Sequence, residues 1–178
     1  MNSKLINKKG LIIADSVMFI IILMLDRASK YFINIKIKGH PSLPLLPGFL
    51  ELNYLENYGA AFGMLKNQKY FFVMITGILL LTIIYIIFKS PSKSKYIGLH
   101  TALVFIGTGA LSNTCDRLFY GYVVDFIYLY EITFPTFNIA DIFITIGTVL
   151  LIILMIFVFK EDDLNFLRFK EKRLRDIN

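Results

Sequence analysis

The chain has 178 residues, 56% of them hydrophobic and 15% aromatic, and its 19 basic against 13 acidic side chains give a formal charge of +6. Such an apolar composition, with the charge gathered into short blocks, describes one membrane domain over residues 1–178 and argues against a soluble enzyme. It also argues against a nucleic-acid partner, whose basic stripe among aromatic residues is missing; Cys115 is the only cysteine, which excludes an internal disulfide.

The N-terminus supplies Lys4, Lys8 and Lys9 before an apolar run from Leu11 to Leu25 that only Asp15 interrupts. No small-x-small cleavage site follows, so the run reads as an uncleaved first span over about residues 11–30, with Asp15 near the inner surface and hydrated. LDRASK closes it. Asp26 and Lys30 stand i, i+4 on one helix face and can pair there, with Arg27 pointing elsewhere. From spacing alone this is either a helix-end anchor or the edge of a site.

Residues 34–68 change character. INIKIK alternates, HPSLPLLPG breaks the chain, and FLELNYLEN alternates again, which predicts a small strand pair outside the hydrocarbon. In NYGAAFGML, Gly59, Ala60, Ala61 and Gly63 allow another backbone to approach, and Asn57 offers a donor and an acceptor. The same residues suit a tight turn into the next helix.

Tyr70 to Phe88 is nineteen residues without a charge, long enough to span a bilayer core. Lys89, Lys93 and Lys95 form a short basic loop, and Ile97 to Cys115 is again uncharged, with Gly107 and Gly109 available for close helix packing. His100 has no histidine or cysteine at ligand spacing, so no metal site is expected. Residues 139–159 supply a fourth span before a charged tail. The expected fold is therefore all-α and integral to the membrane, with four transmembrane helices and a small extracytoplasmic sheet and loop region at about 34–68 and 116–138.

Four spans put both termini on one side. Twelve basic residues then fall with the termini and the Lys89–Lys95 loop, against seven basic and seven acidic on the opposite side. The positive-inside rule assigns the termini to the cytoplasm and the stretch Ser112–Asp141 to the outer face.

That stretch holds Asp116, Asp125, Glu131 and Asp141. Asn113 shares a helix face with Asp116 at i, i+3, and Arg117 follows it. Asn138 and Asp141 suit ordinary capping of the fourth helix, since its dipole favours an anion in the first turn. Asp125, in YVVDFIY, is enclosed by large apolar residues and caps nothing, so it needs a partner or a function. Beside Asp141 it would form a pair in which one carboxyl keeps its proton, the arrangement of an aspartic peptidase. The rival from another class is a small proton or ion pathway, or a scaffold. The acids gather at one face, where a conducting path would run them through the midplane.

LDRASK, NYGAAFG, SNTCDR with VVDF, and FNIAD, in this order at the ends of four spans, closely resemble the lipoprotein signal peptidase (signal peptidase II) family. Each block alone is weak, and the ordered set, from Asp26 to Asp141, is specific. The resemblance implies a membrane-embedded aspartic endopeptidase of the bacterial cytoplasmic (inner) membrane. It would cut prolipoproteins just before a diacylglyceryl-modified cysteine, using Asp125 and Asp141 at the extracytoplasmic face. Asn57, Asn113, Arg117 and Asn138 match residues that line the family's site or bind substrate. Asp26, Lys30 and Asp116 match positions that hold it together, and Gly59 lies in the NYGAAFG block beside Asn57. The resemblance further implies membrane lipids and globomycin-like cyclic peptides as partners, no cofactor or metal, and a monomer. Two departures stand out: Arg27 and Ser29 where glutamine and threonine are more common, and Ser112 where glycine usually precedes the asparagine.

Overall fold

The computed structural model describes residues 4–59, 68–130 and 135–168. Ala60, Ala61, Gly63 and Glu131 lie outside the described residues. The fold is mostly helical, with one small antiparallel sheet: α1 (Lys8–Lys36), β1 (Leu43–Leu46), β2 (Leu50–Asn57), α2 (Lys69–Lys89), α3 (Ile97–Phe119), β3 (Val123–Leu129) and α4 (Ile139–Ile153). A π-helical turn, Leu154–Val158, prolongs α4, and short 3-10 turns precede α3 and follow α4.

Helix α1 begins where the Asn7 side chain accepts from the Lys9 and Gly10 amides, and its 29 residues run about 43 Å. It continues past Lys30, which corrects the strand expected over INIKIK. Ile33 and Ile37 stand i, i+4, so the alternating isoleucines also fit a helical face, and these two pack on Val124 and Phe126 of β3. The alternation over LELNYLEN does form a strand. Its partners are β1, drawn from the proline-rich segment, and β3, in the order β1-β2-β3.

Among the described residues two helices, Lys69–Lys89 and Ile139–Val158, are long and apolar enough to cross a membrane. Their outward faces carry exposed large side chains such as Leu81, Ile84, Phe88, Ile152 and Phe157. Helix α3 is the hub against which α1, α2 and α4 pack. Its contact with α4 is nearly backbone to backbone: a Cβ on Gly109 would lie 2.5 Å from the Ala140 carbonyl oxygen, and one on Gly147 2.8 Å from that of Ala102.

At the end of the bundle remote from the sheet, a polar clasp joins three helices. His100 Nδ1 meets Asp15 Oδ2 at 2.6 Å, and its Nε2 meets Ser90 Oγ at 2.7 Å. Lys8 Nζ donates to the Ile87 and Ser90 carbonyls at 2.6 and 2.8 Å, capping the C-terminus of α2. Asp15 is thus buried and paired, contrary to its expected hydration.

Candidate active site

Register builds the site first. Asn57 pairs with Val123 across β2 and β3, and Asp125, two residues on, lies on the same face of the sheet. Asn57 Nδ2 therefore reaches Asp125 Oδ2, at 2.8 Å. Phe137 bridges to Ile127, bringing the start of α4 alongside β3, and Asn138 Nδ2 donates to Asp125 Oδ1 at 2.6 Å.

Asn138 also caps α4. Its Oδ1 accepts from the Asp141 amide at 3.0 Å, and Asp141 Oδ2 accepts from the Asn138 amide at 3.1 Å, a reciprocal capping box. The other Asp141 oxygen accepts from Asn113 Nδ2 at 2.8 Å. The capping reading of Asp141 is therefore correct as structure, and it leaves the carboxylate on the wall of the same cavity as Asp125. That cavity, of about 380 Å³, is also lined by Asn57, Gly59, Asn113 and Arg117.

The three asparagines have no freedom to turn their amides round. Asn57 Oδ1 accepts from the Gly59 amide at 3.0 Å, Asn138 Oδ1 from the Asp141 amide, and Asn113 Oδ1 from the Lys30 ammonium at 2.9 Å. Each oxygen faces a group that can only donate, so each NH₂ is turned toward a carboxylate.

Behind them lies a buried ion cluster. Lys30 Nζ stands 2.9 Å from Asp26 and 2.8 Å from Asp116. Asp26 accepts further from Ser112 Oγ at 2.6 Å and from the Ala140 amide at 2.9 Å. This ties α1 to α3 and to the N-terminus of α4, where a carboxylate is favoured. Arg27 does not point elsewhere: it reaches Asp116 at 2.7 Å, Asp26 at 3.1 Å and the Ser112 carbonyl at 3.1 Å. Two buried carboxylates beside one ammonium leave a net negative charge, and that imbalance, readable in LDRASK and SNTCDR, was the signal for Arg27.

Arg117 Nη2 donates to the Gly59 carbonyl at 2.8 Å, and the guanidinium lies 4.3 Å from the Phe72 ring centroid. It holds the edge of the cavity and does not touch either aspartate.

Burial pushes the Asp125 carboxyl up to about 7, and the neighbouring Asp141 charge adds to the rise, against the opposing effect of the two asparagine donors. A carboxyl so poised can give a proton at neutral pH, while a carboxylate on the same cavity can take one.

The protein-family model described as signal peptidase (SPase) II matches residues 18–157. Curated lipoprotein signal peptidases are similar along most of their length. That of Streptococcus thermophilus is 36% identical over 143 residues, 80% of this chain and 92% of its own. That of Clostridium tetani is 34% identical over 151 residues, 83% and 94%. A solved structure titled as a bacterial membrane enzyme studied by the in meso method at 2.3 Å superposes with a TM-score of 0.75 at 33% identity, covering 87% of this chain and 92% of that one. A second of the same description, at 1.9 Å, gives a TM-score of 0.75 at 32% identity, with 89% and 99% covered.

Proposed function

Because this chain belongs to the signal peptidase II family and cleaves signal peptides from prolipoproteins, we propose that Asp125 and Asp141 are the pair that performs the cleavage. The observation that carries the reading is Asn138, which donates to Asp125 and accepts from the amide of Asp141 while both carboxyls line one cavity.

In this mechanism Asp141 is ionised and removes a proton from a water held between the two groups. Asp125 gives its proton to the scissile carbonyl oxygen, and the water oxygen bonds to the carbonyl carbon. Collapse of the resulting diol breaks the C–N bond. The proton taken by Asp141 passes to the leaving nitrogen, and Asp125 recovers its own from the collapsing hydroxyl. Asn57, Asn113 and Asn138 hold the carboxyls in register without competing for the proton, because each presents only N–H. Asp26, Lys30 and Asp116 keep α1, α3 and α4 in the alignment that the asparagines need. Arg117, anchored on the Gly59 carbonyl, borders the path of the substrate backbone.

The membrane setting follows from the substrate. A cysteine carrying a diacylglyceryl group cannot leave the bilayer cheaply, since each buried methylene is worth about 0.8 kcal/mol. The enzyme meets it in the bilayer with four spans, both termini cytoplasmic and the aspartates at the extracytoplasmic face of the bacterial inner membrane. Residues 1–178 act as one domain. Phe72 and Thr76 of α2 and Ile144 of α4 line the cavity, so the gap between these helices is the lateral entrance for lipid-modified substrate. The protein acts as a monomer in this reading, and globomycin-like cyclic peptides would compete for the same cavity.

A conducting path is disfavoured because the buried acids around the cavity are each held in place, Asp26 and Asp116 by the ion cluster, Asp141 by the capping box and Asp125 by two asparagine amides. The test is cellular. Asp125→Asn or Asp141→Asn should leave a membrane-inserted protein with accumulated, uncleaved lipidated precursor, and normal processing by either variant would remove that residue from the pair.

A further inference from the structure

Helix α2 separates two concavities. The candidate active site lies between α2 and α4, and a second trough lies between α2 and α1, floored by α3 on the side nearer the His100 clasp. Its walls are Ile12 to Ile20 and Leu80 to Phe88, its floor is Leu103 to Leu111, and it encloses about 520 Å³. Each stretch spans nine residues, or about 13 Å of helix. That is close to half of a hydrocarbon core about 30 Å thick.

The lining is dry. Ser16 Oγ donates to the Ile12 carbonyl at 2.9 Å, Thr108 Oγ1 to the Val104 carbonyl at 2.6 Å, and Asp15 Oδ2 is held by His100. Hydroxyls closed on their own helices leave mostly methyl and methylene groups facing the trough, which suits a hydrocarbon chain better than water.

The rim supplies the charge. Lys9 precedes Ile12 by one turn, whereas Lys89, after Phe88, donates to Tyr85 Oη at 2.6 Å and is left out of the rim. An antiparallel bridge between Leu5 and Lys93 folds the N-terminal segment against the 89–95 loop. Lys4 and Lys93 are therefore brought to the end of the bundle where Lys9 opens α1 and the trough stops.

We propose that this trough binds one acyl chain of an anionic phospholipid from the cytoplasmic leaflet, with the lipid phosphate held by the lysine rim. The site serves no step of the cleavage, and it rests on the membrane placement proposed above.

Native mass spectrometry of the full chain released from bilayers of equal phosphatidylglycerol and phosphatidylcholine tests it. One phospholipid per chain is expected, with phosphatidylglycerol preferred. Lys9→Gln should reduce that preference about fivefold, the effect of one lysine near an anionic surface. Ile20→Trp, which fills the trough from α1, should reduce retained lipid about tenfold while the protein still cleaves substrate, and Ile84→Trp repeats the test from the opposite wall. Equal retention by both tryptophan variants, no headgroup preference in the wild-type chain, or a peptide or second copy of the chain in place of lipid would overturn the proposal. Cleavage in the same samples keeps the two readings apart: absent cleavage with selective lipid retention contradicts the peptidase mechanism and leaves the lipid site standing.

Discussion

Asn138 Nδ2 lies 2.6 Å from Asp125 Oδ1, and the oxygen of the same amide caps α4 through the Asp141 N–H. One side chain thus fixes a strand residue and a helix residue relative to each other. Asn138→Ala should cost about 1 kcal/mol as a lost cap and lower cleavage by about 10²-fold through misplacement of the pair. Asn138→Ser, which can still cap, should recover the unfolding temperature and not the cleavage rate.

The carboxyl of Asp125 is raised to about 7, whereas an aspartate in the unfolded chain keeps its proton only below about pH 4. Between those limits the folded state binds more protons than the unfolded one, so stability is greatest below about pH 4 on this account and declines as pH rises through 7. Asp125→Asn should flatten that slope in thermal unfolding across the same range. Wild-type cleavage should also fall above about pH 7, as the proton destined for the carbonyl oxygen is lost.

Lys30 is the central cation of the ion cluster and is 3% exposed. Lys30→Met leaves Asp26 and Asp116 to Arg27 alone and releases the amide of Asn113. A loss of about 3–5 kcal/mol is expected in unfolding measurements, as for other half-removed buried pairs. Arg27→Gln should cost less, because its side chain is 33% exposed and water takes up part of its role.

Gly109 controls how closely α4, and so Asp141, approaches α3. Gly109→Ala meets the Ala140 carbonyl oxygen at 2.5 Å and Ile144 at 2.7 Å, and should cost about 1–3 kcal/mol by overpacking with a larger relative loss of cleavage. Gly77→Ala on α2, where nothing stands within 4 Å of the new Cβ, should leave both unfolding temperature and cleavage unchanged or slightly improved.

The polar residues of the site were legible in the sequence because charge near apolar runs must have a reason. Asp26 with Lys30, Asn113 with Asp116, and Asn138 with Asp141 each stand at helical spacing; the first and last pairs bond directly, and Asn113 and Asp116 meet through Lys30. β3 was not legible. Val123, Val124, Asp125 and Phe126 are all buried, so the strand has no polar face and no alternation to betray it. The opposite error arose over INIKIK, where a period of two includes every fourth residue and so imitates both a strand and a helix. From the sequence Arg27 points away from the Asp26–Lys30 pair, and Ser112 is only a small residue in place of the family's glycine. Both touch Asp26, and their contribution depends on a crossing of α1 with α3 that spacing along one helix cannot reveal.

Turnover of a purified lipid-modified precursor by Asp125→Asn, by Asp141→Asn and by the double variant bears most directly on the pair. Two carboxyls acting as one unit predict that either single substitution lowers turnover about as far as both together, because residues that work in concert are strongly non-additive. Two single losses that multiply in the double variant, or wild-type turnover by either single variant, would contradict the pair.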